Sequence, residues 1–532
     1  MMKKAIKKLL AALLAVAMVC AMAIPAFAYN SWETEEDLNK KHGYIAFQIF
    51  KGVISEGNPT LSDVDWGKNI PHPEDFLPKL KEDPTLKIPF QDADNLQDVL
   101  AVISTWHNSD DDSIAFARFV CNYIYTDPLA DSESTIVGGN GAIKIPEPGY
   151  YLIVDNTYFN LGDFYHAYNS FFLVNDTHQG EYNVTINHKV VKPTVEKKVY
   201  DNDNNDISSA GGWGSSADHA INEEFKFQLT ATLPASEKGR AYDYYNEYAV
   251  LFNDTLSKGI TYDRLDSVVI ESNGIPYDIT NDSSMYEVDD SRLESDHYFV
   301  VGIPDVKTCV PDLNKGATIT VTYTAHLNEN AAVNGSTDNK NKVQLQYSNN
   351  PSNSAYWGFT PESAVCVYTY QLNNTKYRDD DTPGNELAGA GFRLYSDKDC
   401  TKEQEIKLKK NITDGTYSPY FGTDAGDEMF SDEHGQFNVK GLDAGTYYLK
   451  ETNPPAGYGA CANKEIVISA THDVNHVDLS GNLSTTIINK KAGGITLPST
   501  GGIGTTIFYV VGGGLMVAAI VLLVTKKRME NK

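Results

Sequence analysis

Three polar side chains in the C-terminal third of the sequence have the residue types needed to form an amide bond between side chains. Lys376 lies near the end of YTYQLNNTKY, Glu451 lies in GTYYLKETN, and Asn489 follows TTII. Successive side chains of a strand point to opposite faces, so each of the three shares a face with Tyr, Leu or Ile. We therefore expect all three to point into an apolar core.

Burial would prepare these groups for reaction. A buried lysine tends to lose its proton and becomes nucleophilic, whereas a buried carboxyl group tends to keep its proton because its pKa rises. Attack of the Lys376 amine on the Asn489 side-chain carbonyl would expel ammonia, with Glu451 transferring protons. The prediction is an intramolecular Lys–Asn amide. The alternative is a Lys376–Glu451 salt bridge, with Asn489 in a turn.

A second set of polar residues lies on apolar faces in the middle of the chain. Alternation points Lys197 inward in TVEKKVY and places Asp254 on the apolar face of NEYAVLFNDTL. Asn341 and Asn349 both share the apolar face of NKVQLQYSNNP, so alternation alone does not choose between them. The alternative for Asp254 is an Asx turn or a helix cap before TLSKG.

Both ends of the chain carry export and anchoring signals. Residues 1–28 combine lysines, an apolar run and the closing Ala-Phe-Ala, which predicts a cleaved signal peptide. Near the other end, LPSTG precedes an apolar segment at 503–524, long enough to span a bilayer, and the basic tail KKRMENK. A simple single-pass anchor is the alternative. The motif comprises Leu497, Pro498, Ser499, Thr500 and Gly501.

Composition indicates an exposed, multi-domain β protein. The chain has 532 residues and a formal net charge of −27, which argues against nucleic acid as a partner and suits a surface protein. Its 32 tyrosines favour strands, and its length is too great for a single core. We predict an α+β N-terminal domain with two helices between 95 and 125, followed by tandem Ig-like β-sandwich domains. The predicted segments are 1–28 (signal peptide), 29–190, 191–367, 368–492 and 493–532 (sorting signal, transmembrane helix and basic tail).

Cysteine and metal patterns are weak. Five cysteines remain after signal-peptide removal, so at least one cannot pair within the chain. Cys309–Cys366 and Cys400–Cys461 are candidate disulfides, and five free thiols are the alternative. The run DNDNND lacks the Gly and Glu of a calcium loop and is best explained as a solvated turn. The sequence thus predicts no metal site and no cofactor.

The ordered LPSTG, apolar and basic segments resemble the sorting signal of Gram-positive surface proteins. In that family a sortase cuts between Thr and Gly, here Thr500 and Gly501, and transfers the threonine to an amine. The stretches ELAGAGFRLYS, YYLKETNPPAGY and IINKK resemble collagen-adhesin B-type domains. That resemblance implies an isopeptide bond with Lys376 as amine, Asn489 as acceptor and Glu451 as catalyst.

The middle of the chain resembles backbone pilins. The stretches PTVEKKV, NDTLSKGI and YSNNP are similar to the middle domain of that family. The resemblance implies a second isopeptide set of Lys197, Asp254 and an asparagine, with Asn349 preferred over Asn341. In the N-terminal region, Val154 stands where the C-terminal region has its catalytic glutamate, and we expect no such bond there.

The segment YNVTINHKVVKPTVEKKV resembles the pilin motif, which supplies the amine that joins subunits. Lys189 stands at the motif position, and Lys192 is the alternative. The family likeness then implies the major structural subunit of a covalent surface pilus that supports adhesion. Its implied partners are a class C (pilin) sortase, identical pilin subunits, minor tip and base pilins, peptidoglycan through a housekeeping sortase, and a host or surface receptor.

Other functions have less support from the sequence. A monomeric sortase-anchored adhesin would use Thr500 but not Lys189. A surface hydrolase would need a catalytic motif, and the chain contains no HExxH, CxxC, GxSxG or P-loop. We therefore expect no enzyme activity beyond autocatalytic isopeptide formation.

Overall fold

The structure is a computed structural model of the whole chain. It describes residues 44–54, 61–106, 110–126, 135–137, 142–145, 147–155, 170–174, 182–185, 192–202, 212–236, 240–349, 357–481 and 483–491, with a few positions between 515 and 527. The signal peptide, Lys189 and the LPSTG motif lie outside the described residues. Within the described part, no helix is long and apolar enough to cross a membrane.

The N-terminal part combines a sheet with helices, as predicted. Strands β2, β1, β5 and β6 lie side by side in that order, β3 also pairs with β1, and β4 pairs with β7. Both predicted helices are present, and Asn95 begins the first with a capping box. Val154 is buried in this core. The elements are β1 (Tyr44–Ile54), β2 (Leu61–Trp66), α1 (Pro73–Glu82), α2 (Leu96–Ile103), α3 (Asp111–Thr126), β3 (Thr135–Val137), β4 (Ala142–Ile145), β5 (Gly149–Asp155), β6 (Ser170–Val174) and β7 (Tyr182–Thr185).

A β-sandwich follows, here called the middle sandwich. One sheet has the order β14-β13-β17-β11-β8-β9, and the other has β10-β20-β18-β12-β16-β15, with β19 on β18. Burial alternates along β11, so its apolar side chains line the space between the sheets. The strands are β8 (Thr194–Asp201), β9 (Gly212–Gly214), β10 (Ser216–Asp218), β11 (Glu224–Leu233), β12 (Val250–Leu256), β13 (Ile260–Ser272), β14 (Ile275–Asp278), β15 (Glu287–Arg292), β16 (Tyr298–Ile303), β17 (Ala317–Leu327), β18 (Lys340–Ser348), β19 (Trp357–Phe359) and β20 (Ser363–Tyr368), with the short helix α4 (Leu293–Asp296) after β15.

A second, smaller sandwich, the C-terminal sandwich, completes the described fold. Its sheets have the orders β24-β25-β27-β21-β31 and β23-β22-β28-β29-β30, with β26 on β22. The first strand, β21, pairs in parallel with the last, β31. The strands are β21 (Tyr370–Arg378), β22 (Gly391–Tyr395), β23 (Glu405–Ile406), β24 (Leu408–Lys410), β25 (Tyr417–Pro419), β26 (Met429–Phe430), β27 (Val439–Leu442), β28 (Gly445–Asn453), β29 (Lys464–His472), β30 (Val477–Gly481) and β31 (Ser484–Asn489).

The two sandwiches are in direct contact. Only Thr369 separates β20 from β21. The Ile221 amide donates to the Gly441 carbonyl at 2.9 Å, and the Asn222 side chain donates to the Pro419 carbonyl at 2.9 Å. One backbone and one side-chain hydrogen bond therefore hold the two sandwiches together.

The cysteines do not pair. Five of them lie in the described residues and all are free thiols, four of them buried. Neither candidate disulfide is formed, so the alternative of five free thiols describes this structure.

Candidate isopeptide-forming sites

Three strands bring the predicted triad of the C-terminal sandwich together. Lys376 on β21 and Asn489 on β31 belong to one sheet, and Glu451 on β28 belongs to the opposite sheet. The alternation along β21 and β28 turns the lysine and the glutamate inward, as expected. Lys376 is 0 % exposed, Asn489 1 % and Glu451 6 %. All three functional groups therefore meet in the core, away from water.

The contacts within this triad match those needed for an amide exchange. The Lys376 Nζ contacts the Asn489 Oδ1, and the Asn489 Nδ2 donates to the Glu451 Oε1 at 2.7 Å. The same Glu451 Oε1 lies 3.4 Å from the Lys376 Nζ. One carboxylate oxygen thus lies beside both the attacking nitrogen and the leaving nitrogen. Lys376 and Glu451 lie within salt-bridge distance, as the alternative expected, but Asn489 is the last residue of β31 and is not in a turn.

The surroundings of the triad favour a neutral amine. Burial lowers the pKa of Lys376, while Cys461 and Glu451 oppose that shift. The ring of Phe392 lies 5.5 Å from the Lys376 Nζ. The Cys461 backbone amide donates to the Glu451 Oε2 at 2.8 Å and fixes the carboxylate in place. Burial raises the pKa of the Cys461 thiol to about 11, so this thiol stays neutral beside the glutamate.

The middle sandwich contains a second buried lysine–carboxylate pair. Lys197 on β8 reaches across the core to Asp254 on β12, and the Nζ contacts the Asp254 Oδ2. Tyr323 on β17 joins them: its hydroxyl accepts from the Lys197 Nζ at 3.0 Å and donates to the Asp254 Oδ1 at 3.2 Å. Both charged side chains are fully buried. Asp254 lies within β12, so it is neither an Asx turn nor a helix cap.

Burial shifts both groups of this pair towards their neutral forms. Desolvation lowers the pKa of Lys197 to about 8 and raises the pKa of Asp254, although their mutual attraction opposes both shifts. The ring of Phe227 lies 5.1 Å from the Lys197 Nζ. An apolar floor under the amine thus recurs in both sites.

The two candidate asparagines of this site lie at different distances from the Lys197–Asp254 pair. Asn341 is fully buried, its Nδ2 donates to the Tyr323 hydroxyl, and its Oδ1 has no hydrogen-bond partner among the described residues. Asp254 pairs with Val343, two residues from Asn341. Asn349 follows the end of the same strand, six residues beyond Val343, which is about 20 Å at the rise of a strand. The geometry therefore favours Asn341 over Asn349 as the acceptor of the predicted bond.

Tyr323 was missed by the sequence analysis. Its position in ATITVTYTAHL puts it on the same face as the buried Ile319 and Val321, so its inward direction was readable from alternation. What alternation cannot show is that β17 lies near both β8 and β12 in space. The residue that bridges all three reacting side chains is therefore visible only in the fold.

The structure describes only one of the residues predicted to link subunits. Lys189 and the motif from Leu497 to Gly501 are outside the described residues. Lys192, the alternative, is described and half-buried two residues before β8. The proposed linkage therefore stays a prediction from the sequence.

Comparisons with known proteins identify two segments. Residues 373–482 match the family described as SpaA, a prealbumin-like fold domain, and residues 489–531 match the LPXTG cell wall anchor motif. The chain is a cell-wall-anchored surface protein. The sorting signal and the mainly β, multi-domain fold expected from the sequence are thus confirmed.

Several solved structures that match the chain are backbone or major pilins. The T6 backbone pilin of Streptococcus pyogenes shares 17 % identity with a TM-score of 0.49, over 85 % of this chain and 96 % of that chain. The major pilin SpaD of Corynebacterium diphtheriae shares 16 % identity with a TM-score of 0.45, over 88 % and 95 %. The major pilin BcpA of Bacillus cereus shares 16 % with a TM-score of 0.38, over 68 % and 87 %. No curated protein sequence shows significant similarity to the chain.

The anchor of this surface protein begins where the C-terminal triad ends. The anchor match starts at Asn489, which is also the last residue of β31. An LPXTG anchor is a sortase substrate, so any pull from the cell wall enters the folded part of the surface protein through β31.

Proposed function

We propose that this surface protein is the major (backbone) subunit of a sortase-assembled pilus. A sortase would join Thr500 of one subunit to Lys189 of the next, and internal isopeptide bonds would reinforce each subunit. The observation that carries the proposal is the buried triad of Lys376, Glu451 and Asn489, directly before an LPXTG anchor. An anchor alone suits any wall protein, whereas covalently closed sandwiches suit a chain that transmits tension.

The side chains of the C-terminal triad supply every atom and proton that the bond-forming step needs. The neutral Lys376 amine attacks the Asn489 Cγ, and the new Cγ–Nζ bond replaces the Cγ–Nδ2 bond. Glu451 takes a proton from Nζ and delivers it to Nδ2, so ammonia leaves and the carboxyl group is regenerated. No external reagent is needed, and the reaction occurs once in each molecule.

The middle sandwich would follow the same course with other residues. Lys197 is the amine, Asn341 the acceptor and Asp254 the proton carrier. Tyr323 holds the amine and the amide on one hydroxyl, which brings them together in a site with few degrees of freedom. The raised pKa of Asp254 favours a proton on the carboxyl group that can be donated to the developing oxyanion.

The mechanical benefit follows from the strand order. β21 enters the C-terminal sandwich and its parallel neighbour β31 leaves it, so a pull on the two ends shears these strands past each other. Hydrogen bonds alone would share that force and would break once it exceeded their combined strength. An amide between Lys376 and Asn489 connects the same two strands covalently, so that unfolding under tension becomes slow.

Several partners belong to this proposal. A class C (pilin) sortase would polymerise identical subunits, minor pilins would occupy the tip and base, and a housekeeping sortase would attach the fibre to peptidoglycan. A host or surface receptor would account for adhesion. Autocatalytic bond formation is the only chemistry proposed, with no turnover of an external substrate.

Polymerisation is tested on cells. Wall extracts from cells expressing the natural chain are expected to show a ladder of detergent-resistant, high-mass species. Lys189→Ala should reduce the ladder to the monomer, while the matched variant Lys192→Ala should keep it. The reverse result would move the linkage to Lys192. A natural chain that is anchored to the wall only as a monomer would refute the pilus and favour a monomeric adhesin.

A further inference from the structure

Three buried ionisable side chains meet at the contact between the two sandwiches. Asp201 ends β8 and Asp218 ends β10 in the middle sandwich, and His472 ends β29 in the C-terminal sandwich. They are 1 %, 1 % and 5 % exposed. Each offers one ligand atom, and these atoms lie within 4.8 Å of one another. The isopeptide chemistry uses none of them.

The carboxylate of Asp218 lacks the partners that burial demands. Neither oxygen makes a hydrogen bond of normal geometry among the described residues; the Tyr370 hydroxyl is close enough to interact with the carboxylate, and the His472 Nε2 lies 3.6 Å from Oδ1. Taking an ionised carboxylate out of water without compensation costs several kcal/mol, on the order given for buried ions in general.

Ser216 determines which nitrogen of His472 faces this carboxylate. The Ser216 hydroxyl lies 2.9 Å from the His472 Nδ1 and donates its own proton to the His472 carbonyl at 3.3 Å. With the hydroxyl proton assigned to the His472 carbonyl, the hydroxyl accepts from Nδ1–H. In the neutral imidazole the lone pair is then on Nε2 and points towards Asp218. A histidine that is oriented through one ring nitrogen while the other faces a carboxylate matches the orientation that second-shell partners impose on metal-binding histidines.

We propose that Asp201, Asp218 and His472 bind one divalent transition-metal cation, of which Zn²⁺ is the representative. A set of one imidazole and two carboxylates suits zinc, since imidazole disfavours Ca²⁺ and Mg²⁺. Two ligands at about 2.1 Å from a tetrahedral zinc ion are about 3.4 Å apart, close to the 3.6 Å between His472 Nε2 and Asp218 Oδ1. The ligand atom of Asp201 lies within 4.8 Å of the other two, so a shift of its side chain brings all three onto one ion.

The position of this site gives the cation a structural role. Two ligands come from the middle sandwich and one from the C-terminal sandwich, on either side of the Thr369 connection. A bound cation therefore fixes the angle between the sandwiches by direct coordination. Its three buried ligands are reached when the sandwiches separate, so the cation exchanges slowly while they are in contact.

The test begins with the full mature chain, equilibrated by dialysis against micromolar ZnCl₂ and analysed for bound zinc. The expected result is one bound zinc ion per chain. Asp218→Asn and His472→Gln should each raise the Kd for zinc at least tenfold. The matched control is His476→Gln, an exposed histidine in the turn after β29, which should keep the affinity. A natural chain that binds no zinc, or a zinc ion that survives both variants, overturns the proposal.

A spectroscopic measurement on the natural chain guards against variants that fail to fold. The zinc-edge X-ray absorption spectrum should show one imidazole with oxygen ligands and no sulfur. Because the described residues include five free cysteines, a sulfur shell would place the metal elsewhere and refute this site. If no zinc binds, His472 and Asp218 form an imidazolium–carboxylate pair without a metal, and the proposal is refuted.

Discussion

Lys376 and Asn489 are 113 residues apart in sequence, yet the amine of the first contacts the side-chain carbonyl of the second. They lie on neighbouring parallel strands, where Arg378 is the direct partner of Asn489 and Ile487 is the partner of Lys376. The offset of two residues lets the long lysine side chain extend along the strand direction to the amide. The strand pairing itself thus brings the two reacting groups together.

The first prediction concerns Glu451→Gln, which preserves shape but removes the proton carrier. The natural chain should weigh less than calculated by one ammonia molecule for each bond, and this variant should regain one of them. Intact-mass measurement reads the difference directly. Glu465→Gln, an exposed change one strand away, is the control and should keep the mass of the natural chain. A natural chain with its full calculated mass would show that neither bond forms.

The same variant should be less stable. A cross-link that closes a loop of about 100 residues removes denatured-state entropy worth about 4 to 5 kcal/mol, by analogy with disulfides. We expect the C-terminal sandwich of Glu451→Gln to unfold at a temperature lower by on the order of 15 °C, as measured by calorimetry. An unchanged unfolding temperature in a variant of confirmed full mass would show that the bond contributes little to stability.

A second prediction separates the two asparagines of the middle sandwich. Asn341→Ala removes the amide that contacts Tyr323 and should restore the mass of one ammonia molecule. Asn349 lies eight residues, about 26 Å, further along the chain, so Asn349→Ala should leave the bond intact. A peptide map of both variants locates the cross-linked Lys197 peptide. Loss of the linked peptide in Asn349→Ala alone would reverse the assignment.

Tyr323→Phe is expected to slow bond formation in the middle sandwich without preventing it. The phenyl ring preserves packing, whereas the hydroxyl that holds Lys197 and Asn341 is lost. We expect the linked peptide to accumulate more slowly after synthesis, by a factor on the order of 10 to 100. Tyr262→Phe, whose ring packs against Tyr323, is the matched control. Equal rates in the two variants would mean that the Tyr323 hydroxyl has no role in the reaction.

The lowered pKa of Lys376 predicts a pH dependence that can be measured once the bond is blocked. In Asn489→Ala the buried amine releases its proton at a lower pH than the 10.5 of an ordinary lysine. Between these two values the unfolded state binds more protons, so the free energy of unfolding rises with pH. Below the lowered pKa the full destabilisation is present.

The double variant Lys376→Met with Asn489→Ala isolates this contribution. Chemical unfolding at a series of pH values from 7 to 10 should show a rise in the single variant that is missing from the double variant. Parallel curves would indicate that the folded state does not perturb the lysine. For a lysine stabilised by an ion pair, the free energy of unfolding would instead fall as the pH rises. The sign of the slope therefore distinguishes the two cases.

The sequence predicts the C-terminal site well because the alternation of apolar residues shows which side chains of a strand are buried. Lys376, Glu451 and Asn489 each follow apolar residues at a spacing of two, and all three are buried together. Alternation fixes the face of a side chain but not its level along the strand. Asn341 and Asn349 share a face, and only the pairing of Asn341 with Leu256 and of Val343 with Asp254 distinguishes them.

Other features depend on contacts that no local pattern encodes. Helix α1 contains Pro78, a residue that ordinarily argues against a helix interior, and it was not anticipated. Its Phe76 and Leu80 are fully buried, so tertiary packing outweighs the lost hydrogen bond. Asp201, Asp218 and His472 come from three strands of two sandwiches, and their spacing in the sequence gives no sign of a shared site.

The single residue between β20 and β21 has a consequence for extension under load. One residue can add at most about 3.5 Å when fully stretched, so the connection at Thr369 holds almost no spare contour length. A row of such units could not lengthen by straightening loose tethers at this joint. Such a row would be nearly inextensible at these joints. The load of a sudden pull would therefore be transmitted to the next attachment point along the fibre.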